Sequence, residues 1–500
     1  WTRPIYNGVA PTNGQVIAYD APNLRWSYQT VALSAPHAVT IVVGNQAAGD
    51  TTLTCDYLDT GNGLGLQAAF NAANALPVKG KILQRRGNYV IDQTAVSLPL
   101  TAPAGWTWEG EGEYATVITT VPGGVGVNMT TFVLAAGTQN ARTTMRKIGL
   151  RVPANGAGVA GAGPRGIVNF NAYTKIEDVD VVVAAGTATN TYSMFFQADY
   201  ATAYPHGVEV RRLTHNASAA TDASLNAIYA INLRCSVVAP TAGAPAPLVE
   251  DVTYLGSAAT SAPFGRAVYA QGPAVDVRRI RAFNAQAAVF AGGVLSYGGD
   301  VRGPCIEDVV NDIRGYVGSP TVQVWSTLIG HTASSALTIR TPIIDKSLLL
   351  YDTANIDTAS LSVLGADTFV TYTDAMLRGV RADGTVNGGP NIGVESSSST
   401  GSINGVSILD CGGHTTSLRI RGWAAGGGVT NARVVGGDFY NVVLDGAGNT
   451  TNTVISACTI RNNLTISTAT VVNTIVTSNR IGGAYSDAGT GTALGTNSIG

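Results

Sequence analysis

Three stretches of this chain open alike: Ile176-Glu177-Asp178-Val179, Val249-Glu250-Asp251-Val252 and Ile306-Glu307-Asp308-Val309. Looser echoes, Val208-Glu209-Val210 and Val275-Asp276-Val277, fall between them, and Ile403-Asn404-Gly405-Val406, Val429-Thr430-Asn431 and Val454-Ile455 follow. Each opens a short β-branched strand that gives way to Gly, Asn, Ala and Thr. The uneven starts at 176, 208, 249, 275 and 306 suit one coiled strand whose loops vary in length. A unit of this kind cannot bury its own apolar face and must stack on its neighbours. The fold predicted is all-β: a parallel β-helix solenoid.

Composition agrees with a folded chain built from strands and turns. Hydrophobic residues make up 45% of the 500, while charged residues are 12%, half the usual share of about 25%. A net charge of −2 predicts no attraction to nucleic acid or anionic lipid. No apolar run approaches the ~18 residues of a membrane span, so no membrane insertion is expected. Cys55, Cys235, Cys305, Cys411 and Cys458 are scattered without a C-x-x-C pair and read as small buried hydrophobes. The five histidines lack metal-ligand spacing, so neither a metal site nor a cofactor is expected.

Residues 1–48 hold Pro4, Pro11, Pro22 and Pro36 without a strand-start signature and read as an extended segment. Within them Asn13-Gly14-Gln15-Val16-Ile17-Ala18-Tyr19-Asp20, followed by Leu24-Arg25-Trp26, resembles a short motif of phage tail-fibre shafts and attachment regions. Leu66, Ala69, Phe70, Ala73 and Leu76 then form one stripe at helical spacing, which predicts a helix over about 64–76 ended by Pro77. Next come Arg86-Gly87-Asn88-Tyr89-Val90-Ile91, Leu98, Gly105-Trp106-Thr107-Trp108-Glu109-Gly110-Glu111-Gly112 and Ala115-Thr116-Val117-Ile118. This order resembles the opening of the pectate-lyase-like right-handed β-helix superfamily, where a short helix caps the open end and G-x-Y and G-x-G turns introduce the first coils. An uncapped end would expose core side chains and unpaired strand edges. The expected organisation is residues 1–48 for attachment, 49–480 for the capped β-helix, and 481–500 for a small Gly/Thr/Ala-rich tail.

The acidic doublets invite a catalytic reading, because glycosidases use two carboxylates about 5–10 Å apart. Recurrence in register favours a structural one. Alternation points Ile176, Val179, Val181 and Val183 inward and leaves Asp180 outside, with Glu209, Arg211, Asp276 and Arg278 also outside. Coils ~4.8 Å apart would bring such charges into ladders. Val210, Val252, Val277 and Val309 hold the equivalent inward places. The N-T-D, D-D, G-H-G and R-I-K motifs of polygalacturonases do not occur, and Arg340-Thr341-Pro342 is followed by Asp345 where the pectate lyases' R-x-P-x-x-R needs arginine. Gly161-Ala162-Gly163-Pro164-Arg165-Gly166 contains proline and reads as a loop.

Tyr192, Phe195, Phe196, Tyr200, Tyr204 and His206 cluster between the strands at 176 and 208. Aromatic faces with polar tips suit sugar rings and protein partners alike, and also suit packing on the helix flank or a neighbouring subunit. These six are the candidate glycan- or partner-binding residues.

The resemblance to tailspikes implies a homotrimer on the virion surface, joined to other virion proteins through residues 1–48. Such a protein would project toward the host and recognise its surface polysaccharide. Binding without cleavage is the reading preferred, with a polysaccharide depolymerase, a capsid decoration protein or a bacterial adhesin as the alternatives.

Overall fold

The computed structural model describes residues 39–92, 99–121, 131–152, 165–188, 193–198, 204–222, 228–257, 265–315, 324–351, 362–384, 389–422 and 426–500, with the backbone of Gln15–Asp20 and Arg25–Thr30. Those first two strands pair antiparallel. From Val39 onward the described strands pair in parallel, each with its counterpart one coil earlier and one coil later. The chain is a parallel β-helix. One long sheet of 14 strands runs up one side, and a more extensive, bent system of strands wraps the rest.

The bend has a simple cause. Thr174–Val183 is extended on both sides of Asp178, whose φ is 53°, so the strand turns a corner there without a loop. The same left-handed corner recurs at Lys147, Arg212, Asp251, Arg279, Asp308 and Lys346, one per coil. Asp tolerates this conformation because its short side chain bonds locally, whereas Lys and Arg incur about 1 kcal/mol or more of strain. Inward-facing Val179, Val181, Val210, Val252, Val277 and Val309 are all at most 2% exposed and belong to one continuous core.

Asp180 keeps the expected alternation but not the expected exposure. It sits on the outer face yet is only 6% exposed, because Arg151 from the preceding coil lies over it at 2.9 Å. Burial pushes its carboxyl up, against the pull of Arg151.

Leu64–Ala75 forms the expected helix and buries Leu66, Ala69, Phe70 and Ala73, with Leu76 half-buried against the same core. Phe70 meets Trp108 edge-on at 5.2 Å, and Trp108 packs on Phe132 at 5.0 Å. The Trp108 indole N–H donates to Gln84 Oε1 at 2.8 Å, so a wholly buried ring keeps its polar group satisfied. Tyr89 is equally buried and donates to the Arg85 carbonyl at 2.9 Å. The preceding Gly87 has φ of 139°, and a Cβ there would meet the Asn45 side chain at 2.8 Å. Glycine is therefore required at that turn.

The limits of the β-helix differ from those expected. Val39–Asn45 pairs with Gly80–Gln84 and with Tyr57–Asp59, so the coil begins inside the segment assigned to attachment. At the other end Tyr485–Asp487, Ala493–Leu494 and Ser498–Ile499 pair with the preceding coil, so the tail is a last turn of the solenoid. The final coils have a regular 21-residue period. Asn452 Nδ2 donates to Asn431 Oδ1 at 3.2 Å and Asn473 Nδ2 to Asn452 Oδ1 at 3.3 Å, with all three asparagines in the left-handed region.

Replacing Phe70 by Asp should abolish soluble expression, because a charge would enter the end of the core. Phe70→Ala should instead lower the unfolding free energy by about 3–5 kcal/mol in denaturant titration.

Candidate functional site

Three arrangements of polar side chains bear on function: a charged ladder along one flank, a groove beside it, and a small group on the long sheet. The ladder accounts for the repeated acidic doublets. Strand register aligns Glu109, Arg146, Glu177, Arg211, Glu250, Arg278 and Glu307 in a single column across successive coils. Next to it run the corner residues Lys147, Asp178, Arg212, Asp251, Arg279 and Asp308. Each coil carries a doublet of one sign, and the sign reverses at every step: Arg146-Lys147, Glu177-Asp178, Arg211-Arg212, Glu250-Asp251, Arg278-Arg279, Glu307-Asp308. Asp345, aligned with Glu307, breaks the alternation, and Arg378 in the following coil pairs with it.

Ion pairs tie the coils together. Glu109 is held by Arg146 at 2.9 Å and Lys147 at 3.1 Å, and Glu250 by Arg211 at 2.7 Å and Arg279 at 3.0 Å. Arg212 bonds both Glu177 and Asp178. Arg281 reaches Asp308 at 2.8 Å. For Glu109 burial favours the neutral acid, but Arg146, Lys147 and Lys81 outweigh it and hold the carboxyl at about 2. Glu177 is likewise lowered by Lys175 and Arg212 against its burial. Asp251 is lowered chiefly by Arg279, and Asp345 by Arg378. The doublets are thus structural ladders. The Arg-Arg doublets of the intervening coils were a signal present in the sequence but not used there.

The six candidate residues fare unequally. Tyr192 and Tyr200 lie outside the described residues. Phe195 and Phe196 fall in the strand Ser193–Ala198, described for its backbone alone, with Phe196 in register between Val168 and Ile231. Tyr204 is 2% exposed and its hydroxyl donates to the Ala274 carbonyl at 2.8 Å. It is an internal strut, nearly all of it covered. His206 lies tilted on the Tyr204 ring at 4.8 Å and reaches the surface. Its Nε2 accepts from the Thr241 N–H at 3.2 Å, and burial lowers its pKa, so the ring is neutral at pH 7. At Gly207 φ is 61° and a Cβ would meet the Tyr173 ring at 2.6 Å, which fixes the turn presenting His206.

His206 stands at one end of a groove that the sequence did not announce. A hollow of about 250 Å³ lies between Tyr204, His206, the loop from Pro240 to Ala246, and Asp300 and Arg302. A more open hollow of about 460 Å³ continues past Asp300 and Arg302 to Cys305, Arg340 and Ile343. The groove is shaped by two short extra strands, Gly299–Arg302 and Leu337–Arg340, in which Val301 points into the core while Asp300 and Arg302 face out. Register sets Arg302 beside Arg340. The two guanidiniums tolerate each other because Arg302 pairs with Asp276, and Arg340 Nε bonds Asp300 at 2.6 Å. Such planar pairs retain spare donors and acceptors.

A third polar group sits on the outer face of the long sheet, where Glu395, Arg421 and Asp445 are aligned on three adjacent strands. Asp445 accepts from Arg419 at 2.6 Å. Burial pushes the Glu395 carboxyl up, against Arg419 and Arg421. Among the described residues no group of three or more His, Cys, Asp or Glu converges as metal ligands would.

No family model and no curated protein matches the chain. Among solved structures it is similar to ORF18 of Geobacillus virus E2, at 11% identity and a TM-score of 0.23 over 97% of this chain and 67% of that one. It is similar to PfbA, a surface adhesin of Streptococcus pneumoniae, at 13% identity and 0.33 over 89% and 90%. It is also similar to the catalytic unit of a GH87 α-1,3-glucanase from Streptomyces thermodiastaticus, at 12% identity and 0.29 over 92% and 69%. Likeness at these TM-scores carries no argument about activity.

The depressed carboxylates fix a pH response. Their folded pKa values lie below the unfolded ones, so the ladder contributes stability above the unfolded value of about 4.3 and loses it as pH falls toward 2. The melting temperature should be level from pH 8 to about 5 and fall steeply below about 4, less so in Glu109→Gln. Charge reversal tests the alternation. Arg212→Glu should destabilise more than Arg212→Ala, and the swap Asp178→Arg with Arg212→Glu should not restore stability. In the swapped chain the introduced arginine would meet Lys147 and the introduced glutamate would meet Asp251, whereas an isolated pair would be rescued.

Proposed function

We propose that this chain is a surface protein of a phage particle, a stiff β-helix that projects from the virion and recognises a host-surface polysaccharide without cleaving it. Residues ahead of Val39 serve for attachment to other virion proteins, and three copies associate. The observation that carries the binding role is the groove from His206 to Arg340. Its hydrogen-bonding groups are paired with one another and its carboxylates are matched by guanidiniums, an arrangement for holding a polar ligand. The repeated carboxylates are committed to the ladder, where cationic neighbours hold several of them below the ordinary range and so ill suited to proton transfer near neutrality.

Glu395 favours a second reading, a polysaccharide depolymerase. General acid catalysis needs a carboxyl raised above its ordinary value with a second carboxyl nearby, and Glu395, pushed up by burial and two strands from Asp445, has that character. One assay separates the two. The purified chain incubated with host capsule or lipopolysaccharide should retain the polymer on size exclusion and release no oligosaccharide. Release that vanishes in Glu395→Gln would make the depolymerase the correct reading.

Attachment and assembly are tested separately. Because Val39–Asn45 belongs to the first coil, truncation should be made before Val39. That form should fold with an unchanged melting temperature and fail to enter particles. Native mass measurement at micromolar concentration should give three chains, and a monomer would count against the virion role.

A further inference from the structure

The groove has a feature that narrows its ligand. Its guanidiniums do not form a free cationic site. Arg302 is matched by Asp276 and Arg340 by Asp300, and at the rim Glu307 pairs with Arg278 at 3.5 Å. His206 adds no charge at neutral pH, since its Nε2 already accepts from the Thr241 N–H and its pKa is lowered by burial. A carboxylate, sulfate or phosphate entering here would face Asp300, and both lining guanidiniums, Arg302 and Arg340, are already matched by carboxylates. Its desolvation would not be repaid.

An uncharged polyol meets the opposite situation. Adjacent hydroxyls of a sugar ring each donate one hydrogen bond and accept others, and the groove offers the complementary alternation. The Asp300 oxygens accept, while the N–H groups of Arg302 and Arg340 left over from their ion pairs donate. Asp300 and Arg302 are two residues apart on one strand and face the same way, and Arg302 stands in register with Arg340. The groups therefore come from the rigid sheet and not from the loop Pro240–Ala246, which only walls one side. At about 250 Å³ the smaller hollow is near the lower bound of small-molecule sites and suits a single ring, with the more open hollow beside it for the continuing polymer.

We infer that the groove lined by His206, Asp300, Arg302 and Arg340 binds an uncharged hexose unit of a polysaccharide and excludes uronic acids and other anionic sugars. This rests on the proposed role in glycan recognition and names the substrate class of that site.

The test uses the full chain with the methyl glycosides of glucose, galactose, mannose and glucuronic acid, followed by saturation-transfer NMR and titration. At least one neutral glycoside should bind, and the glucuronide at least about tenfold more weakly. The variant Asp300→Ala/Arg340→Ala leaves the net charge unchanged and removes only exposed groups, so it should melt as the parent does. It should bind the neutral glycoside about tenfold more weakly, and Arg302→Gln should do likewise. Failure of all neutral glycosides, glucuronide binding as tight as neutral binding, or full affinity in both variants would overturn the inference. Particle adsorption to host cells separates this from the broader proposal. Glycoside binding with no effect of the variants on adsorption leaves the groove standing and removes its recognition role. Loss of adsorption without glycoside binding does the reverse.

Discussion

From Thr143–Val152 onward the described coils each turn a corner through a single residue in the left-handed region, and the rest of the architecture depends on that corner being held. A one-residue corner keeps the hydrogen-bond ladder nearly continuous, so the strands on both sides remain in register with the coils above and below. It also strains any side chain other than Gly, Asn or Asp. Lys147, Arg212 and Arg279 persist there because each lies next to carboxylates of adjacent coils. Individually such half-exposed pairs contribute up to about 1 kcal/mol, comparable to the strain they offset. Toward the C-terminus the same problem is solved without charge, by asparagines whose amides bond from coil to coil.

Much of the fold was legible because it follows from period and packing. The Val and Ile positions after each doublet, the stripe Leu66, Ala69, Phe70, Ala73, and the buried Tyr89 and Trp108 follow from alternation, helical spacing and turn chemistry. The strand start at Val39 was less visible, since Val39–Asn45 lacks the acidic doublet that marks later coils. The 21-residue period of the last coils was hidden by short strands of two or three residues that carry little hydrophobic signal. Ladders between stacked coils follow from alternation, but the reversal of sign by whole doublets does not. The dominant order lies between coils, where residues some thirty positions apart meet.

The site was legible only in part, for a physical reason. An aromatic cluster in a sequence does not disclose which rings have an outward face. Tyr204 was drawn inward by the Ala274 carbonyl, while its neighbour His206 was left at the surface by the turn at Gly207. Asp300, Arg302 and Arg340 gave no motif because they lie on two short strands inserted between coils, forty residues apart and joined only by register. Arg340 drew notice solely for failing a lyase pattern, yet it stands in the groove.

The alternation of charge from coil to coil has a consequence for how such a chain can lengthen. Removing the Arg211-Arg212 coil would stack Glu177-Asp178 directly on Glu250-Asp251, whereas removing two successive coils would leave opposite signs in contact. The ladder therefore imposes a parity on duplication and deletion: coils are gained or lost harmlessly in pairs. Where Glu307 meets Asp345 that parity slips, and the mixed doublet Asp345-Lys346 followed by Arg378 absorbs the mismatch. It has the form of a seam between two stretches of solenoid that keep separate count.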